Sequence, residues 1–164
     1  MISKKVILTG SFGVGKTSLF NRFIYQQFSD KYMTTIGVKV NKKDITVGDE
    51  AVSMLLWDIA GEISQDKVPA SYFLGASGVI YVLDLSRPST FDNMVSDIKY
   101  LTELLPDCSL MIVANKVDLV TEEQLDNIKQ SIIHKWDFTT SAKTGENVED
   151  MFIGLAKKLI ANHW

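Results

Sequence analysis

Cysteine occurs once in these 164 residues, arginine twice, histidine twice and proline three times. A single thiol, Cys108, excludes a disulfide framework, fits a reducing compartment, and reads as a small filler ahead of a strand. No apolar run approaches the roughly 20 residues that a membrane-spanning helix needs. Met1, Ile2, Ser3, Lys4 and Lys5 lead straight into a short apolar run, without the longer core and small-residue cleavage site of a signal peptide. No glycine follows Met1, and Ala161, Asn162, His163 and Trp164 include no prenylation cysteine. These absences predict a cytoplasmic protein with no direct membrane anchor, membrane-peripheral only through a partner or a missing tail. Net charge is −3 and the pI about 5.4, so nothing electrostatic favours a nucleic-acid partner.

What is present is an ordinary globular composition, 46% hydrophobic and 23% charged, in a length that suits one domain, residues 1–164. Strand-like and helix-like segments alternate. Lys5 to Thr9 contains the unbroken run Val6, Ile7, Leu8, the pattern of a strand buried on both faces. A helix is expected from Lys16 to Gln27, and residues 28–37 read as a loop. Val38 to Val47 and Ala51 to Asp58 flank Gly48 and Asp49, a hairpin signal. Gly61 to Lys67 is a second irregular loop. Further strands are expected at Val79 to Leu85, Leu110 to Ala114 and Trp136 to Thr139. Ser89 with Asp92 reads as the start of a helix presenting Phe91, Met94, Val95, Ile98 and Leu101 on one face. Thr121 with Gln124 reads as a capping box for a helix through Ile133. Asn147 is expected to cap a last helix with the stripe Val148, Met151, Phe152, Leu155 and Leu159. The alternation predicts an α/β fold: a six-stranded, mostly parallel sheet with one antiparallel edge strand and helices on both faces. Ligands of such sheets sit at the carboxyl ends of the strands.

The loop after the first strand reads Gly10-Ser11-Phe12-Gly13-Val14-Gly15-Lys16-Thr17, matching G-x-x-x-x-G-K-[ST]. Glycines let the backbone turn tightly and bring N–H groups close to phosphates. The following helix N-terminus favours an anion. Lys16 is placed to reach the β- and γ-phosphates, and the Thr17 hydroxyl to ligate Mg²⁺. A strand before and a helix after are the context this motif requires.

Four more motifs follow in order: Tyr32-Met33-Thr34-Thr35-Ile36-Gly37, Trp57-Asp58-Ile59-Ala60-Gly61-Glu62, Asn115-Lys116-Val117-Asp118 and Ser141-Ala142-Lys143. The set resembles the Ras superfamily of small GTPases along essentially the whole chain. Thr35-Ile36-Gly37-Val38, Trp57 and Ser71-Tyr72-Phe73-Leu74-Gly75-Ala76 look most like the Rab branch. The resemblance implies a single P-loop GTPase domain that holds GTP or GDP with Mg²⁺. Phe12, Gly13, Val14, Gly15, Lys16, Thr17 and Ser18 would surround the phosphates, with Tyr32 beside them. Asp118 would accept from the guanine N1–H and amine, where adenine offers no donor. Asn115 would tie the base loop to the phosphate loop, the Lys116 stem would cover the base, and Phe28 would pack across its edge. The Ala142 N–H, between Ser141 and Lys143, would meet the guanine O6. Thr35 and Thr17 would ligate Mg²⁺, Asp58 would hold it through a water, and the Gly61 N–H would meet the γ-phosphate. The two irregular loops would be switch regions that relax when that phosphate leaves. Effectors, an exchange factor and a GTPase-activating protein would bind there, to a monomer. Val40, Trp57 and Tyr72 stand where Rab proteins carry an exposed apolar patch, with Val40 replacing an aromatic.

Departures from the pattern concern hydrolysis. Glu62 stands where the family usually has the glutamine that orients water, so Glu62 and Lys16 are the candidate catalytic pair. Phe12 stands where the family usually has a small residue. The sequence therefore leaves two functions open: a regulatory GTPase with slow turnover, or a GTP-holding module that hardly hydrolyses. A metabolite kinase is disfavoured, because such enzymes commonly clamp phosphates with several arginines. Here Arg22 and Arg87 both read as lying outside the phosphate-facing loops. His134 and His163 match no motif and read as structural or solvated.

Overall fold

A computed structural model gives the structure of residues 1–29, 35 and 37–162. The elements are β1 (Ile2–Gly10), α1 (Lys16–Tyr25), β2 (Val38–Val47), β3 (Glu50–Ile59), α2 (Ala70–Phe73), β4 (Ala76–Asp84), α3 (Met94–Leu104), β5 (Ser109–Asn115), α4 (Glu122–Ser131), β6 (Phe138–Thr139) and α5 (Val148–Ala161). The six strands lie in the order β2-β3-β1-β4-β5-β6. All neighbours are parallel except β2, which runs antiparallel to β3 from a two-residue turn at Gly48 and Asp49. Gly48 takes φ 62°, the left-handed turn conformation that favours glycine.

Successive side chains of a strand point to opposite faces, so an unbroken apolar run feeds two cores at once. Val6 and Leu8 of β1 join Leu19, Phe20, Phe152 and Leu155 of α1 and α5. Ile7 between them joins Tyr81, Leu83, Phe73, Ile98 and Leu101 on the other face. Phe23 of α1 stacks on Phe152 of α5 with ring centroids 3.8 Å apart. Burying a large apolar side chain contributes about 1.5–3 kcal/mol, so these two layers hold the sheet rigid beneath the loops it carries. From β1 the chain visits β3 on one side and β4 on the other. The crevice at the carboxyl end of β1 is thus where the strand order reverses, the favoured ligand position of an open α/β sheet.

Local signals differ in how well they mark the helices. Thr121 and Gln124 form the reciprocal capping box that opens α4. That helix ends at Ser131, short of Ile133. Ser89 and Asp92 do not open α3. Residues Pro88–Phe91 make a 3₁₀ turn, and the helix begins at Met94. The buried Thr90 hydroxyl accepts from the Asp84 N–H at 3.0 Å and so spends this segment on the end of β4. Met94, Ile98 and Leu101 face the core as expected, but Val95 is exposed and Asp97 is buried in its place. Asn147 precedes α5 without capping it through its side chain, and donates instead to the Thr139 carbonyl at 2.8 Å.

Candidate functional site

The loops after β1, β3 and β5 and the segment after β6 meet over one cleft of about 240 Å³. Its walls include Phe12, Gly13, Gly15, Lys16, Thr17 and Ser18, with Phe28, Thr35 and Gly61, and Asn115, Lys116, Asp118, Ala142 and Lys143. Ser29 and Leu119 also line it, and no motif pointed to them. Val14 and Ser141 are buried beneath the wall. Tyr32, with Met33, Thr34 and Ile36, lies outside the described residues.

Gly15 stands at the N-terminus of α1 with φ 102°, and a side chain there would overlap the Asn115 amide. No side chain caps α1, which leaves its first N–H groups to an anion. Lys16 is buried, its Nζ donating to the carbonyls of Ser11 at 2.7 Å and Gly10 at 3.2 Å. Burial is the main cause that lowers its pKa to about 8; Asp58 opposes the shift and Arg87 adds to it.

Beside Lys16, three oxygen-bearing side chains converge. Thr17 Oγ1 donates to Asp58 Oδ2 at 2.6 Å and lies 2.5 Å from Thr35 Oγ1. Asp58 is fully buried, and its Oδ1 has no hydrogen-bond partner among the described residues. Burial pushes its carboxyl above the ordinary value, against the hydrogen bond from Thr17 and the charge of Lys16. Two hydroxyls and a half-satisfied buried carboxylate form an all-oxygen set that fits a hard divalent cation.

The base-side loop is built onto the phosphate loop. Asn115 donates from Nδ2 to the Val14 carbonyl at 3.1 Å, and its Oδ1 accepts from Thr140 Oγ1 at 3.0 Å and the Ala142 N–H at 3.3 Å. The N–H that the resemblance assigned to guanine O6 thus bonds Asn115 in this structure. Lys116 takes φ 68° and bonds the Gly13 carbonyl at 2.7 Å. Ser141 Oγ donates to Asp118 Oδ1 at 2.7 Å and turns that carboxylate within the cleft.

Neither arginine lines the cleft, in keeping with the sequence reading, but each bonds a carbonyl of a loop that does. Arg22 of α1 donates from Nε to the Ala142 carbonyl at 2.7 Å and from its fork to the Lys143 carbonyl. Arg87 donates from Nη2 to the Phe12 carbonyl at 2.5 Å and from Nε to Asp84 Oδ2 at 3.0 Å. Asp84 is fully buried and also pairs with Lys116 at 3.0 Å. Burial alone would raise its carboxyl, but hydrogen bonds from Ser86, Lys116 and Arg87 outweigh it and hold the pKa below the ordinary value.

The second loop is less irregular than its sequence. Residues Gln65–Lys67 form a 3₁₀ turn with Gln65 fully buried. The Gln65 N–H donates to Asp97 Oδ1 at 2.8 Å, its side chain meets the Thr9 hydroxyl, and Tyr81 donates to Asp97 Oδ2 at 2.7 Å. Glu62 is half-buried outside the cleft wall, its N–H donating to the Gly10 carbonyl at 3.3 Å. Of the three expected patch residues, Val40 is half exposed, whereas Trp57 and Tyr72 are partly buried against the α3-side core. Lys5 Nζ sits 3.8 Å from the Trp57 ring centroid.

The Ras family model matches residues 5–161. The chain belongs to the Ras family. Among this Ras-family chain's relatives are Rab proteins. It is 32% identical over 163 residues to Ras-related protein Rab-4A of Bos taurus, covering 95% of this chain and 74% of that one. It is 32% identical over 164 residues to Ras-related protein Rab-21 of Homo sapiens (96% and 72%). Ras-related protein SEC4 of Saccharomyces cerevisiae is 33% identical over 158 residues (93% and 73%). Family membership and fold agree: the sheet has five strands running parallel and one antiparallel edge strand. Among the described residues no helix is long and apolar enough to cross a membrane.

Proposed function

We propose that this Ras-family domain is a guanine-nucleotide switch that binds GTP or GDP with Mg²⁺ and hydrolyses GTP slowly. One observation carries the reading. The carboxylate of Asp118 lines one cleft with Lys16, Thr17 and Thr35, the buried Asp58 bonds Thr17 from behind, and Asn115 bonds the two halves together. Thr17, Thr35 and Asp58 would hold Mg²⁺, which when bound neutralises phosphate charge. Lys16, already short of solvent, gains an anionic partner when phosphate arrives. Glu62 and Phe12 support slow turnover: neither supplies the amide that can both donate to and accept from water, and Phe12 is 50% exposed on the cleft wall. The same residues favour the second reading, a GTP-loaded module with almost no hydrolysis. Protein effectors, an exchange factor and an activating protein are the expected partners of the two loops flanking the cleft, and the domain acts as a monomer in the cytoplasm.

Dissociation of a fluorescent GDP analogue, with and without Mg²⁺ and against ADP as competitor, tests the binding. Competition by GDP alone and slower release in Mg²⁺ are expected. Thr17→Ala should abolish most of the Mg²⁺ effect, and equal competition by ADP would refute the guanine assignment.

A further inference from the structure

The phosphate loop is tied by consecutive carbonyls. The Phe12 carbonyl accepts from Arg87, the Gly13 carbonyl from Lys116 and the Val14 carbonyl from Asn115. These peptides are trans, and a trans peptide sets each N–H antiparallel to the carbonyl before it. Holding those three carbonyls therefore aims the N–H groups of Gly13, Val14 and Gly15 the opposite way, as a set. Gly13 and Gly15 line the cleft.

Lys116 and Asn115 belong to the base-reading motif. Arg87 belongs to no motif and lies 75 positions from Phe12. Its hold is braced: Asp84, fully buried at the end of β4, accepts Arg87 Nε and Lys116 Nζ on one oxygen, each at 3.0 Å, while Ser86 occupies the other. One carboxylate thus steadies the donors to two successive carbonyls. The guanidinium geometry suits this role, since one planar fork reaches the carboxylate through Nε and the carbonyl through Nη2. Gly13, next in the chain, takes φ 73°, a conformation with little steric preference of its own, so the orientation of the Phe12–Gly13 peptide depends on what binds its oxygen.

We propose that Arg87 is a positioning residue for phosphate binding: braced on Asp84, it holds the Phe12 carbonyl and so points the Gly13 N–H at the bound phosphates. The proposal rests on the nucleotide-binding function above. Without Arg87 the Phe12 carbonyl loses this anchor, and the phosphates lose one preset donor. The base contacts, made from the β5 and β6 ends, stay as they are.

The test uses the whole chain loaded with GDP, comparing wild type, Arg87→Ala, Arg87→Lys and, as a base-side control, Asp118→Asn. Two quantities are read: the GDP dissociation rate, and the ³¹P resonance of the bound β-phosphate. A hydrogen bond to a charged partner lost on the phosphates corresponds to about tenfold or more in rate. Arg87→Ala should release GDP about tenfold faster and shift the β-phosphorus resonance. Arg87→Lys, which keeps the charge but cannot span Asp84 and Phe12 together, should do both to a smaller degree. Asp118→Asn should speed release without moving that resonance. A purely structural loss would not single out the phosphorus signal. Unchanged release and an unchanged β-phosphorus resonance in Arg87→Ala would overturn the proposal. Should that variant not fold, the same null result in Arg87→Lys overturns it. A wild type that binds no GDP refutes the nucleotide function itself, whereas tight binding by wild type and both Arg87 variants, with faster release from Asp118→Asn, refutes only the role of Arg87.

Discussion

Gly61 lies directly on the backbone of Phe12. A Cβ at position 61 would overlap Phe12 Cα and sit 2.6 Å from its nitrogen and 2.9 Å from the Ser11 carbonyl carbon. Since those atoms are backbone, neither partner can rotate away. The loop after β3 can lie this close to the loop after β1 only while residue 61 has no side chain. Gly61→Ala should therefore hold the loops apart and break the Glu62 N–H to Gly10 bond. Single-turnover GTP hydrolysis should fall by about tenfold or more, as expected when reacting groups are misplaced by about an ångström. GDP affinity should stay within about threefold if, as proposed, Gly61 serves the γ-phosphate that GDP lacks.

Asp118→Asn should exchange guanine for xanthine preference. Ser141 Oγ already donates to Asp118 Oδ1, and an asparagine oxygen can keep that bond while its amide faces the base. The amide then donates to the oxygen that xanthine carries in place of the guanine amine. Discrimination by buried polar pairing reaches about 10⁴-fold. Dissociation constants for GDP and xanthosine diphosphate in both proteins check this, and an unchanged ratio would contradict the role given to Asp118.

Hydrolysis should be slow in the wild type and respond to two substitutions. Glu62→Gln restores a side chain that can donate to and accept from a water, and Phe12→Gly clears the cleft wall where an activator's arginine would enter. Single-turnover rates are expected to rise with Glu62→Gln, and the response to an arginine-donating activator to rise with Phe12→Gly. If neither moves, those two side chains do not limit the rate.

Asp97 carries a stability prediction with a pH sign. Burial is the main cause that holds its carboxyl above the ordinary value, with Asp66 adding to it against hydrogen bonds from Gln65 and Tyr81. A carboxyl raised in the folded state contributes stability that is present below its unfolded pKa, near 3.9, and is lost as pH rises through the folded value. Asp97→Asn keeps an acceptor for the Gln65 N–H, offers a donor to the Tyr81 oxygen and removes the charge. Its Tm at neutral pH should equal or exceed that of wild type, and the difference should shrink or reverse toward acid. Asp97→Ala leaves two buried donors unpaired and should cost about 2–5 kcal/mol in urea unfolding.

The sequence by itself determined whatever is written within a few residues. The six strands, the Gly48-Asp49 turn and the Thr121–Gln124 capping box were legible because period, turn chemistry and capping are local properties. The phosphate loop and the Asn-Lys-x-Asp motif were legible because their chemistry demands certain residue types at set spacings. Even local signals failed where a distant demand competed. Ser89 and Asp92 have the spacing of a helix start, yet Thr90 is spent on the end of β4 and the helix waits until Met94.

Only the tertiary structure decided which polar groups meet. Arg87 and Asp84 are three residues apart, but the carbonyl they steady belongs to Phe12, 75 positions away. Arg22 reaches the Ala142 carbonyl across 120 positions. Asp97 sits on the inward stripe of α3, a place where a hydrophobic pattern expects an apolar residue, because Gln65 and Tyr81 supply donors to it from other elements. A side chain's type and spacing reveal what it can bond. A buried charge or carbonyl is satisfied by whichever donor the packing of sheet and helices brings within about 3 Å, and that choice exists only once the chain has folded.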